Sequence, residues 1–249
     1  MNILIVHCHP EPASFNATLT NTARHTLESE GHHVVISDLY AQNFNPVEGP
    51  DQYVERHHQE VFKPLDEQRF HAERDTLAPD IAREITRLEW AELIIFQAPL
   101  WWHGPPAMLK GWFDRVFVYG GMYTGTRRFD RGMLKGRRAL LSFTTGAPET
   151  TFGPYGRSGD ITTLMWPLHC SLYYVGLSVL APHMVYGVQG GGLSYRQEDD
   201  FRAHLEQESI RWAARLATLP QNTPIPMSGW ADWDEDGVIE SDHPLCWRV

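Results

Sequence analysis

The chain has 249 residues, with 42% hydrophobic and 21% charged residues and 21 Lys and Arg against 31 Asp and Glu, for a formal net charge of −10. This is the composition of a globular protein, which excludes wholesale disorder, and the acidic balance works against broad nucleic-acid binding, which needs a basic face. No apolar run approaches the roughly 18 residues of a membrane span, and three cysteines (Cys8, Cys170 and Cys246) without a C-x-x-C pair indicate neither a disulfide framework nor a zinc site.

The opening Met1-Asn2-Ile3-Leu4-Ile5-Val6 lacks the basic region and cleavage site of a signal peptide. It reads as a buried first strand over 2–8, and a cytoplasmic location is expected. Pro10 and Pro12 end the strand. Ser14 is placed to cap a helix from Phe15 to Glu30, with Leu19, Ala23 and Leu27 at four-residue spacing and Gly31 closing it. A second strand covers His33 to Ser37. Residues 41–78 are polar and irregular and are expected to form a long excursion with one or two short helices. Pro79-Asp80 opens the next helix, with Ile81, Ile85 and Leu88 on one face. Ala91 to Gln97 lacks alternation and reads as a strand buried on both sides.

A helix is predicted over Ala107 to Tyr119, with Leu109, Trp112, Phe113, Val116 and Phe117 as its apolar stripe. Arg138 to Phe143 forms a fourth strand, Ile161 to Val175 a helix, Leu177 to Tyr186 a fifth strand and Gln197 to Thr218 a last long helix. Residues 1–219 therefore read as one α/β domain, a doubly wound five-stranded parallel sheet with helices on both faces. Residues 220–249, rich in Pro, Trp and Asp, read as an extended C-terminal arm.

Ligands of such sheets bind outside the carboxyl ends of the strands. Three strand ends carry unusual loops. His9, Ser14, Phe15 and Asn16 put a hydroxyl, an amide and free backbone N–H groups at a helix N-terminus, which suits either an ordinary cap or a phosphate. Pro99, Leu100, Trp101 and Trp102 place two adjacent indoles on a loop, for core packing or for a flat aromatic ligand. Thr144, Thr145, Gly146 and Ala147 form either a plain strand-ending turn or a set of donors for a heteroaromatic edge. Neither G-x-G-x-x-G nor a P-loop occurs.

In HPEPASFNATL, SDLYAQNFNP, LAPDI, FQAPLWWHGPPAMLKGWFDRVF, LLSFTTG, GDITTLMWPLH and LAPHMVYGV the sequence resembles the NAD(P)H:quinone oxidoreductases of the DT-diaphorase type, which have a flavodoxin-like fold. The segments keep the family's order across residues 2–215. The resemblance implies tightly held FAD, NAD(P)H as co-substrate, and ping-pong hydride transfer through flavin N5 to a quinone. It also implies a homodimer with active sites at the subunit interface. His9, Ser14, Phe15 and Asn16 match positions on the phosphate and adenosine side. Pro99, Leu100, Trp101 and Trp102 match the loop beside the isoalloxazine, and Thr144, Thr145, Gly146 and Ala147 the loop facing its pyrimidine edge. Arg196 matches an arginine on the adenine side, and Tyr123 a tyrosine of the substrate pocket.

The departures from the family are specific. Phe152 and Ser158 stand where the animal enzymes have a Tyr and a His proposed to relay protons, and neither is a general acid near neutral pH. Tyr155 lies between them and is the nearby phenol available to replace that relay, with the backbone of Gly146 and Ala147 as the alternative way to meet negative charge. Gly125 and Gly190 replace a pocket Tyr and a pocket His. Two other readings are a flavodoxin-like electron carrier and a regulatory flavoprotein subunit, as some relatives sit on potassium-efflux channels. The 13 histidines lack metal-ligand spacing, and the segment from Asp232 imitates an EF-hand loop but puts His243 where a bidentate Glu is needed. No metal is expected.

Overall fold

The computed structural model describes residues 1–190 and 196–243. Cys246, the Gly191–Tyr195 part of the spacer before Arg196 and the end of the C-terminal arm lie outside them. β1 (Asn2–His7) pairs in parallel with β2 (His33–Asp38) on one side and β3 (Leu93–Pro99) on the other, and β3 pairs with β4 (Arg138–Thr144). The order β2-β1-β3-β4-β5 is the flavodoxin-like doubly wound arrangement. The expected fifth strand is divided into β5 (Ser178–Val179) and β6 (His183–Val185), both paired with β4. Pro182 has no N–H for a ladder, and Arg215 donates instead to the carbonyls of Ala181 and Pro182.

Alternate strand residues feed two cores. Ile3, Ile5, Ile95 and Leu140 pack with α1 (Phe15–Ser29) and α6 (Glu198–Ala217) through Leu19, Ala23, Leu27, Trp212 and Leu216. Leu4, Val6, Phe96 and Leu141 pack with α3 (Pro79–Trp90), α4 (Ala107–Val116) and α5 (Ile161–Tyr174) on the opposite face. The apolar runs of β1 and β3 are covered on both sides, as their lack of alternation requires.

Local chemistry sets the helix ends. Ser14 Oγ accepts the Ala17 N–H (3.2 Å), and Gly31 takes a φ of +80° beyond the other end of α1. Asp160 caps α5 by accepting from Thr162 and Thr163 (3.0 and 3.2 Å). α4 stops at Val116, short of the predicted Tyr119. The Tyr119 N–H is taken by Gln68 Oε1 (2.9 Å), and Gly120 turns the chain at a φ of +90°.

The 41–78 excursion holds a 3-10 turn at Pro50–Gln52 and α2 (Pro64–Ala72). It is pinned by buried Glu67, which accepts from the backbone of His57 (2.7 Å) and His58 (3.1 Å). Burial opposes this charge, but those N–H groups and Arg56 outweigh it and hold the carboxyl below its ordinary range. The C-terminal arm is strapped to the domain. Ile225 donates to Val179 O (2.7 Å), Tyr173 to Ser228 O (2.9 Å), and the Trp230 indole to Arg128 O (3.0 Å).

Candidate active site

At the carboxyl ends of β1, β3 and β4 the three loops converge on one cleft of about 570 Å³. His9, Ser14, Phe15, Asn16, Pro99, Leu100, Trp101, Thr144, Thr145 and Gly146 all line it. Its base is rigid. Asn16 is buried and donates from Nδ2 to Thr144 Oγ1 (2.9 Å), while its Oδ1 accepts from Gln97 Nε2 (2.9 Å). The first loop is thereby tied to β3 and β4. Thr145 exchanges bonds with the end of β6 and the chain beyond it, donating to Val185 O and accepting from Val188 N–H (both 2.9 Å).

The Gly146 N–H has no hydrogen-bond partner among the described residues, and a Cβ added at Gly146 would meet Val188 O at 3.4 Å. Phe15, Leu100 and Trp101 give the cleft an apolar wall, to which α6 adds Phe201 and Leu205. Below the mouth, burial holds the His7 imidazole under its ordinary value; Asp38 opposes that shift and His9 adds to it. His7 bonds Thr20 Oγ1 (2.8 Å).

Five expected site residues do not join this cleft. Trp102 is 98% exposed. Trp101 and Gly104 exchange backbone bonds (2.9 and 3.0 Å), with Trp102 at a φ of +51° and His103 at +62°. This is a type I′ turn, usually Asn-Gly, which throws its first central side chain outward. Tyr155 is fully exposed, because a turn closed by Gly156 N–H to Gly153 O (2.8 Å) directs it to solvent. Within its own chain it stands outside the cleft. Phe152 is buried against Tyr186, and Ser158 donates to Thr151 Oγ1 (2.9 Å).

Ala147 turns back to the loop after β6, its carbonyl accepting from Gly187 N–H (3.0 Å). Arg196, just before α6, lines a separate polar recess with Glu149, His204, Glu208 and Arg211. Tyr123 lies in a third place, a groove of about 690 Å³ between α4 and α5 that also holds His103, Phe117, Trp166 and Tyr174. Burial, with Tyr174 and Tyr119 beside it, raises the Tyr123 phenol above its ordinary value.

Val188, Gln189, Gly190, Phe201 and Leu205 line the cleft without having been expected as contacts, although Gly190 was singled out as a departure. The four-residue spacing of Phe201 and Leu205 on α6 was the available signal. Among the described residues no three His, Cys, Asp or Glu side chains gather as a metal site, and no helix is long and apolar enough to cross a membrane.

A family model described as a flavodoxin-like fold matches residues 1–216. The chain is 37% identical to rat NAD(P)H dehydrogenase [quinone] 1 over 224 residues, 89% of this chain and 78% of the relative. It is 36% identical to human ribosyldihydronicotinamide dehydrogenase [quinone] over 233 residues, 93% of this chain and 96% of the relative. Among solved structures, a Klebsiella pneumoniae protein assigned as a quinone reductase superposes with a TM-score of 0.88 at 31% identity, covering 96% of this chain and 93% of that one.

Proposed function

Because the chain belongs to the flavodoxin-like family of NAD(P)H:quinone oxidoreductases, we propose that it is an FAD-dependent NAD(P)H dehydrogenase passing two electrons to a quinone or similar electrophile in a ping-pong cycle. The observation that carries this reading is the convergence of three strand-end loops on one cleft, with Phe15, Leu100 and Trp101 as its apolar wall and the Gly146 N–H left without a partner among the described residues. The residues fit a flavin. Phe15, Leu100 and Trp101 suit a planar ring, the N-terminus of α1 with Ser14 suits phosphate, and the unpaired Gly146 N–H suits an electron-rich ring edge.

FAD would supply a two-electron carrier between the two substrates. The protein holds and orients it. The Asn16 bridge fixes the spacing between the first and third loops, and Pro99 and Leu100 set the ring's flank. Fixed backbone donors meet negative charge without titrating, which suits a chain whose family resemblance puts Phe152 and Ser158 at the positions of the proposed proton relay. The active assembly is a homodimer in the cytoplasm, with the exposed Trp102 and the Tyr123 groove of one protomer facing the cleft of the other. This is supported by an indole left 98% exposed and followed in the chain by His103, Gly104 and Pro105, which line an apolar groove.

Heat release and chromatography of the purified chain test the cofactor: FAD is expected, and stoichiometric FMN overturns it. Bleaching of the flavin by NAD(P)H and its recovery on adding quinone test the cycle. Recovery without repeated turnover would favour an electron carrier. Sedimentation at micromolar concentration tests the dimer.

A further inference from the structure

Strand register lines up four polar side chains beneath the cleft. His7 stands beside Gln97, Gln97 beside Ser142, and Ser142 beside His183. All four face α1 and α6, because Ile5, Ile95, Leu140 and Val185, two positions along the same strands, belong to the apolar cluster on that side. The row lies two residues, about 6.6 Å along the strands, below Pro99 and Thr144 in the wall of the cleft.

Toward α1 the row is bonded through the Gln97 amide nitrogen. Gln97 Nε2 donates to Asn16 Oδ1, and Asn16 Nδ2 donates to Thr144 Oγ1, both at 2.9 Å. Thr144 Oγ1 accepts there, so its own O–H is left to donate, and the residue borders the cleft. Three atoms of the row are not satisfied by protein. Gln97 Oε1, Ser142 Oγ and His183 Nε2 are buried and have no hydrogen-bond partner among the described residues. Gln97 and Ser142 are 1% and 0% exposed.

Buried polar atoms are nearly always paired, with protein or with ordered water. Three in one row, on strands about 4.8 Å apart, supply the two to four partners that an internal water requires. The His183 ring is stacked on Trp212 (4.4 Å between centroids), which holds it in the row. Burial, with Arg215 and Arg211 nearby, lowers its pKa to about 4, so at neutral pH the ring carries one N–H and one lone pair.

We infer that an internal water held by Gln97 Oε1, Ser142 Oγ and His183 Nε2 completes a directional hydrogen-bond chain that ends in the Thr144 hydroxyl and presents it to the cleft as a donor. Gln97, Ser142 and His183 are positioning residues, acting through Asn16 and Thr144. The ligand atom they prepare for is an acceptor. The water rests on protein atoms alone, while its service to a flavin ring edge rests on the function proposed above.

Two measurements on the full chain test this. A crystal structure at atomic resolution, after removal of any flavin, is expected to show water within hydrogen-bonding distance of at least two of the three atoms. A dry row overturns the inference. FAD dissociation constants are then compared for Ser142→Ala, Thr144→Val and the double variant. Each single change is expected to weaken binding about five-fold, the worth of one hydrogen bond, with the double no weaker than Thr144→Val and with Ser142→Thr restoring affinity.

Additive losses overturn the positioning role, since they assign Ser142 an effect that bypasses Thr144. His183→Gln, which keeps a donor and an acceptor, gives a second variant should Ser142→Ala fold poorly: it is expected to keep both the water and the affinity, and loss of the water with affinity unchanged, or of affinity with the water still in place, overturns the chain. A protein that binds no flavin at all sinks the functional reading, and the density still decides the water.

Discussion

The cleft and the α4–α5 groove are built in opposite ways. The cleft is finished within one chain: Asn16, Gln97 and Thr144 are buried and bonded to one another, and ten of the residues expected there from sequence line it. The groove is wider, apolar and rimmed by groups that a lone chain has no reason to expose. Trp102, the residue before the groove-lining His103, is exposed on a turn that bulky residues rarely adopt. The contrast teaches that burial and mutual hydrogen bonding finish one concave surface here, while the other keeps large apolar side chains at an open surface.

The sharpest way to break this contrast is at Asn16. Asn16→Leu leaves Gln97 Nε2 unmet and Thr144 untethered in a buried setting, at a cost of about 1–3 kcal/mol per orphaned group. Flavin content is expected to fall more than about ten-fold and the melting temperature to drop, by absorbance and calorimetry. A variant with full flavin would show that the cleft does not depend on its buried bridge.

Acid tests both regions together. Burial lowers the pKa of His169, on α5 between the groove-lining Leu168 and Cys170, to about 4, and burial with Arg215 and Arg211 does the same for His183, beneath the cleft. The unfolded chain takes up protons near the ordinary value of 6.5, and the folded chain only near 4. Stability is therefore fully present above 6.5 and is lost as pH falls from 6.5 to 4, by up to about 3 kcal/mol per histidine. Melting curves across that range should show the loss, and His169→Gln should flatten its share of the slope.

At Trp102 the two regions should respond in opposite directions. Trp102→Gly removes a left-handed tryptophan and is expected to stabilise the isolated chain by about 1 kcal/mol, while shifting sedimentation toward monomer and lowering quinone turnover. A much lower melting temperature would place the indole in a core instead. The smallest effect belongs to Tyr155→Phe. The phenol faces solvent, so rapid-mixing flavin reduction should stay within about two-fold of the parent, well under the hundred-fold scale of a lost general acid. A ten-fold drop would bring Tyr155 into the chemistry.

The strands and the loops at their ends were legible because apolar runs and helix caps are local signals. The directions of side chains within turns were not. Nothing in the order Trp101-Trp102-His103-Gly104 announces a left-handed pair at its centre, and the Gly153–Gly156 turn that expels Tyr155 is equally silent. The apolar run over the fifth strand hid the break at Pro182. The row of Gln97, Ser142 and His183 becomes visible only when register sets three distant segments side by side. The four-residue spacing of Phe201 and Leu205 marks them as one face of α6, but that this face borders the cleft is set by how α6 packs on α1 across the Trp212–Leu19 bond.

The strap formed by the C-terminal arm bears on how these molecules avoid sticking together. β5 ends the sheet, and an open strand end is a template for any other chain that offers an extended segment. Here the arm takes that place: Ile225 donates to Val179, and Pro224 forms an antiparallel bridge with Leu180. The segment that covers the edge is Thr223-Pro224-Ile225-Pro226, and its two prolines have no N–H with which to recruit a further strand. The arm thus works as a terminator of sheet growth, and a chain cut after Leu219 should polymerise or precipitate at concentrations where the whole protein stays clear.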